Sequence, residues 1–135
     1  MLLAETKWVR TVAQFDLAIT APLALPWLND YVVAWLFSWF GLAGSPGAFL
    51  PMPMFVSLFC CLAGILGVLW NGCRVLRPDD TLLMRADLFG RLAVAAALAY
   101  FLLLRGAPSA LWLFVASELA GAAIERMVLK RRRAA

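Results

Sequence analysis

The sequence contains no histidine and only three cysteines among its 135 residues. Cys60 and Cys61 are adjacent and Cys73 follows later, so their spacing matches neither a CxxC pair nor a zinc-binding set. We therefore interpret all three as buried thiols. A Ser–His–Asp set and a Gly-rich phosphate loop are also missing. These absences argue against hydrolases, metalloenzymes and nucleotide enzymes, and they predict no cofactor.

Charge is scarce as well. Charged residues make up 15% of the chain and hydrophobic residues 64%, with a mean hydropathy of +0.87. Soluble domains contain roughly 45–50% apolar residues, so this composition excludes a soluble globule. Several apolar blocks approach the roughly 20 residues that cross about 30 Å of hydrocarbon as a helix. The chain is predicted to be a single all-α transmembrane domain.

The apolar blocks predict four membrane spans, at about residues 8–28, 52–73, 82–104 and 110–129. A further apolar stretch from Tyr31 to Gly41 is too short to cross, so we predict a short extracytoplasmic interfacial or re-entrant helix at about residues 30–41. The run from Arg77 to Thr81 indicates a turn and an N-cap ahead of span three. The short connections favour an antiparallel four-helix bundle.

The basic residues set the predicted orientation. Every lysine and arginine except Arg105 falls on the side that carries both termini. The positive-inside rule makes that side cytoplasmic, in a cell inner (plasma) membrane. The net charge of +4 would indicate a nucleic-acid partner in a soluble chain. Because these basic residues flank apolar blocks, we expect no nucleic acid, and we interpret residues 130–133 as a topology anchor that contacts anionic lipid.

Aromatic and small residues suggest where the helices meet headgroups and each other. Trp35, Trp39 and Trp70, with Arg74, are predicted at the headgroup interface. Trp35 and Trp39 lie one turn apart, which favours interfacial anchoring over a ligand cage. Small residues allow close helix packing in lipid. The small residues predicted at helix contacts are Gly64, Gly67, Ala93, Ala97, Ala116 and Ala120.

Three ionisable residues fall deep within predicted spans. At about 1.5 Å per residue, Asp16 and Arg91 lie about 12 Å inside the cytosolic edge and Glu118 about 15 Å from either end of its span. Such groups are costly in hydrocarbon and must face the bundle interior or water. We predict that all three meet in one layer, where the arginine neutralises one acid and leaves the other able to exchange a proton.

Two neighbours complete this candidate site. Asp87 precedes Arg91 by four residues and is an alternative partner for the guanidinium, while Gln14 could add a neutral hydrogen bond. Two interpretations of the cluster stay open: it fastens the helices together, or it forms a ligand or proton site.

The segment FVASELAGA at residues 114–122 places an acid among small residues within a span. Together with the arrangement of span one, an extracytoplasmic apolar segment and three further spans, it resembles DoxX-like small membrane proteins. This resemblance implies a four-helix membrane domain and, for many members of the family, a role as an accessory subunit.

The favoured function is therefore binding of a lipid, quinone or isoprenoid-like amphiphile in an intramembrane cavity, or service as an accessory subunit. The alternatives are a proton-coupled transporter that uses Glu118 and an isomerase-like intramembrane enzyme that uses two acids. Expected partners are the lipid bilayer, an amphiphilic ligand, and another membrane protein or a second copy of the chain.

Overall fold

The computed structural model describes residues 2–39, 47 and 50–134, and over these residues the chain is helical without strands. The all-α prediction is therefore confirmed. The helices are α1 (Leu2–Thr20), α2 (Asn29–Trp39), α3 (Met54–Leu76), α4 (Thr81–Leu104) and α5 (Trp112–Ala134). Short 3₁₀ turns follow α1 at Ala21–Ala24 and precede α5 at Ser109–Leu111. The last two positions of the predicted interfacial helix, residues 40 and 41, lie outside the described residues.

Two helices among the described residues, α3 and α4, are long and apolar enough to cross a membrane. They correspond to the predicted spans 52–73 and 82–104. The segment Thr6–Ala24 and helix α2 meet at a bend of 116°, as in a broken span or a re-entrant loop, and would count as a third crossing only if taken together. Helix α5 carries Glu118, Glu125 and Arg126 along its middle. The count of four spans stays a prediction.

The chain divides into two compact units. The α4–α5 unit comprises Met1–Val12 and Leu76–Ala135, and the α2–α3 unit comprises Ala13–Val75. Helix α1 therefore contributes its first half to one unit and its end to the other.

In the α2–α3 unit, the end of α1 packs closely on α3. A Cβ atom at Gly64 would lie 2.3 Å from the backbone nitrogen of Ala24, and one at Gly67 would lie 2.9 Å from Thr20. Because these two glycines have no side chain, the end of α1 and the following 3₁₀ turn can lie close to α3. The prediction that Gly64 and Gly67 lie at a helix contact is therefore confirmed. The start of α2 is held by Asn29, which donates from Nδ2 to the carbonyl of Ser57 at 2.8 Å.

In the α4–α5 unit, α4 and α5 pack against each other and share a small apolar core with the first half of α1. This core contains Val9, Met84, Val128 and Leu129. Helix α4 begins at an N-cap, where Asp80 Oδ1 accepts from the backbone N–H groups of Leu82 and Leu83 at 2.8 and 3.2 Å. The predicted turn and cap are therefore confirmed.

Two packing predictions are wrong. Ala93, Ala97, Ala116 and Ala120 are exposed, and the buried small residues of α4 and α5 include Ala95, Gly121 and Ala122 instead. The cysteines also differ among themselves, since Cys61 is buried, Cys60 is half-buried and Cys73 is exposed. In an apolar helix every face resembles a core face, so sequence alone does not assign the buried one.

Candidate functional site

Helices α4 and α5 are joined by a buried charged cluster. Arg91 donates from Nε to Asp87 Oδ2 at 2.8 Å and from Nη1 to Glu118 Oε2 at 3.0 Å. Asp87 and Arg91 lie one turn apart on α4, so their side chains project from the same face. The Arg91 and Asp87 side chains are each 8% exposed, whereas that of Glu118 is 24% exposed. One guanidinium thus bridges an acid on its own helix to an acid on the next.

The guanidinium of Arg91 lies directly over Gly121 of α5. A Cβ atom at position 121 would lie 2.7 Å from Nη1 and 2.8 Å from Cζ of Arg91. Gly121 is three residues after Glu118, so both face the same side of α5. The absence of a side chain at this position lets the guanidinium reach the carboxylate of Glu118 while it stays flat against the helix.

The α2–α3 unit contains a second buried arginine. Arg74 donates from Nη1 to Asp16 Oδ2 at 3.1 Å and to Asn71 Oδ1 at 3.0 Å. The Arg74 side chain is 2% exposed and that of Asp16 is 23% exposed. The sequence groups Arg74 with the headgroup residues, which stays a prediction, and the structure gives it a carboxylate partner in its own unit. It joins the end of α1 to α3.

The predicted site residues are thus distributed between the two units. The structure brings Asp87, Arg91 and Glu118 together in one unit, and it pairs Asp16 with Arg74 in the other. A single layer that contains Asp16, Arg91 and Glu118 stays a prediction. Gln14, expected beside them, is exposed on α1.

The aromatic residues predicted at the interface are all exposed. Trp35 and Trp39 stack on α2, with ring centroids 5.2 Å apart and an interplanar angle of 24°. They are 50% and 74% exposed, and Trp70 of α3 is 37% exposed. Their place at the headgroup interface stays a prediction.

A groove runs along α4 and α5 within the α4–α5 unit. Its volume is about 520 Å³, within the range of small-molecule sites. The wall on α4 is formed by Leu88 and Leu92. The wall on α5 comprises Leu119, Ala122, Ala123, Arg126, Leu129, Lys130 and Arg133. Ala122 and Ala123 contribute only methyl groups to the lining, so larger side chains at these positions would take up space in the groove.

Sequence reasoning missed this groove, although the sequence contains a signal for it. Leu119, Ala123, Arg126, Lys130 and Arg133 recur every three or four residues and so form one stripe on α5. This stripe is apolar in its first part and cationic in its second. Their position near the end of the chain favours the interpretation of these basic residues as topology signals. Their common face on α5 becomes evident only when they are placed on the helix.

Over residues 2–39, 47 and 50–134, the fold is all-helical, and two of its helices are long and apolar enough to cross a membrane. No family model, curated protein or solved structure matches the chain.

Proposed function

We propose that the chain is an integral membrane protein that binds an amphiphile in the groove between α4 and α5. The carrying observation is the groove itself, which combines apolar walls at Leu88, Leu92 and Leu119 with basic side chains at one end. Its lining extends from Leu119 to Arg133 along α5, a length of about 21 Å at the helical rise. A molecule with a polar head and a long apolar tail fits this division. The candidate classes are a lipid, a quinone or an isoprenoid-like molecule.

The charged cluster acts in this proposal as the fastener of the groove walls. Asp87, Arg91 and Glu118 satisfy one another across α4 and α5, and the groove residues Leu88, Leu92 and Leu119 each follow one of them in sequence. Because the ion pairs fix the two helices in register, they also fix the separation of the apolar walls. The ligand is thus proposed to lie in an apolar recess beside an internally paired cluster.

Native mass spectrometry of the purified protein in a mild detergent tests the proposal. We expect a bound amphiphile on the wild type and a loss of about tenfold or more in its retention for Ala123→Phe, because the added ring overfills the recess. The matched control is Ala97→Phe, an equally exposed position on α4 that does not line the groove. Equal retention by both variants, or a wild type that carries no amphiphile, would contradict the proposal.

The topology proposed with this function has four spans, formed by the α1 segment, α3, α4 and α5, with α2 as an interfacial or re-entrant helix. Both termini lie in the cytoplasm of a cell whose inner membrane holds the protein. The basic residues at the end of α5 and in the turn before α4 support this orientation. The resemblance to DoxX-like proteins adds a role as an accessory subunit, in which a second membrane protein or another copy contacts the exposed helix faces.

A proton-coupled transporter is the second candidate, and one observation favours it. Glu118 is 24% exposed while its partner Arg91 is 8% exposed, so this carboxylate can meet solvent or substrate from one side. In proteoliposomes, this candidate predicts that a pH gradient drives uptake of a substrate by wild type and that Glu118→Gln abolishes this uptake. Uptake that is independent of the pH gradient, or that is unchanged in Glu118→Gln, would exclude it.

A further inference from the structure

Three basic side chains of α5 form one row along the groove. Arg126, Lys130 and Arg133 are exposed and separated by four and three residues, so they occupy one helix face. Within the part of the chain that the structure describes, none of the three forms an ion pair with an acidic side chain. The row is therefore a concentration of positive charge that forms no ion pair with the acidic side chains of the described residues.

The neighbouring Arg132 shows that the basic run is not one uniform anchor. It donates from Nη1 to the backbone carbonyl of Asp79 and from Nη2 to Thr6 Oγ1, at 3.3 Å for the latter. Arg132 thus fastens the end of α5 to other parts of its unit, whereas Lys130 and Arg133 line the groove. A basic run that only sets the topology needs net charge near the membrane. It does not require Arg132 to contact its own unit while Lys130 and Arg133 line the groove.

We infer that the groove binds an anionic phospholipid, with its phosphate at Arg126, Lys130 and Arg133 and an acyl chain along Leu88, Leu92 and Leu119. Like charges at these spacings repel one another, and a phosphate placed among them removes that repulsion. The apolar walls continue from the basic row on the same two helices, so one molecule contacts both regions. This inference rests on the proposed function and narrows its ligand from amphiphiles in general to anionic phospholipids.

The experiment titrates delipidated protein, in a neutral detergent, with phosphatidylglycerol or with phosphatidylcholine of the same acyl chains. Binding is followed by native mass spectrometry and by the shift in melting temperature. We expect saturation at about one phosphatidylglycerol per chain. Phosphatidylcholine should bind at least about tenfold more weakly, because each basic side chain near an anionic headgroup strengthens the binding. Added salt should weaken the binding of phosphatidylglycerol.

Charge-matched variants test the position of the headgroup. The double variant Lys130→Gln, Arg133→Gln should bind phosphatidylglycerol about tenfold to thirtyfold more weakly than wild type. The control is Arg77→Gln, Arg85→Gln, which removes the same charge from exposed positions outside the groove lining and should bind as wild type. Similar losses in both double variants would overturn the inference, because nonspecific attraction depends only on total charge.

The remaining outcomes separate the inference from the proposed function. If both lipids bind wild type equally and Ala123→Phe still weakens them, the groove binds amphiphiles and the anionic headgroup assignment is overturned. If neither lipid binds, the inference is overturned, and the proposed function is then decided by whether purified wild type carries another amphiphile that Ala123→Phe loses. If glycerol 3-phosphate displaces phosphatidylglycerol at comparable concentration, the site is a phosphate site without a tail contact, and the lipid assignment is overturned.

Discussion

At the scale of single residues, Arg91 and Arg74 decide how the charged side chains of this apolar chain are accommodated. Both arginines are buried, and each forms an ion pair with at least one carboxylate of its own unit. Neither guanidinium is therefore buried without a counter-charge, which would be costly in apolar surroundings. A guanidinium suits this task because it stays charged and presents several donors in a fixed plane.

Removing Arg91 should be severely destabilising. Arg91→Met leaves Asp87 and Glu118 close together without their shared counter-charge, and loss of one partner from a buried pair costs about 3–5 kcal/mol. Unfolding in mixed detergent micelles measures the effect. Arg85→Met, at an exposed position on the same helix, should stay within about 0.5 kcal/mol of wild type. Equal stability of the two variants would show that the buried cluster does not stabilise the packing of α4 against α5.

Gly121 offers a more local test of the same cluster. In Gly121→Ala the new methyl group would lie 2.7 Å from Arg91 Nη1, so the guanidinium must move and its contact with Glu118 weakens. We expect a loss of about 1–3 kcal/mol in the free energy of unfolding. Gly90→Ala is the matched control, because a Cβ at that position meets open space and should stabilise α4 by up to about 1 kcal/mol. Stabilisation in both variants would contradict the placement of Arg91.

At the scale of elements, the 3₁₀ turn that follows α1 packs on α3 through close approach of backbone atoms. A Cβ at Gly64 would lie 2.3 Å from the backbone nitrogen of Ala24, which cannot rotate away as a side chain can. Gly64→Ala should therefore force the 3₁₀ turn away from α3 and destabilise the α2–α3 unit by at least about 1–3 kcal/mol.

The control for that substitution lies on the same helix. Gly72→Ala introduces the same methyl group into open space and should leave stability unchanged or slightly improved. Thermal unfolding of the two variants in detergent compares them directly. A Gly64→Ala protein as stable as Gly72→Ala would mean that the turn Ala21–Ala24 does not lie against α3.

The elements that the sequence predicts well are those set by local rules. Long apolar blocks predict α3 and α4, and the run from Arg77 to Thr81 predicts a turn and an N-cap, which the structure places at Asp80. Gly64 and Gly67 were also predicted at a helix contact, and they lie in one. These features depend on composition and short-range spacing, which the chain displays directly.

The features that the sequence does not predict depend on helix rotation and long-range pairing. Ala93 and Ala97 were expected at a contact, yet the buried small residue of α4 is Ala95. Because most faces of such helices are apolar, hydrophobic periodicity does not fix which face meets a neighbour. Likewise, the partner of Asp16 is Arg74, 58 residues away, a choice set by how α1 and α3 pack.

At the scale of the whole molecule, the distribution of basic residues predicts that both termini lie in the cytoplasm. Green fluorescent protein fused to either terminus should fluoresce, and alkaline phosphatase fused to either terminus should be inactive because it folds only outside the cytoplasm. A fusion at the connection near Arg105 should give the opposite pattern. Opposite results for the two termini would require an odd number of spans.

Site-mapped photocrosslinking shows whether an amphiphile occupies the groove along α4 and α5. A phosphatidylglycerol with a diazirine in its acyl chain is added at one equivalent to delipidated protein in detergent, irradiated, and located by peptide mass spectrometry. We predict that adducts concentrate at Leu88, Leu92 and Leu119 and are lost in Ala123→Phe. Adducts spread evenly over exposed apolar residues such as Leu66 and Phe101, with no change in Ala123→Phe, would contradict the account.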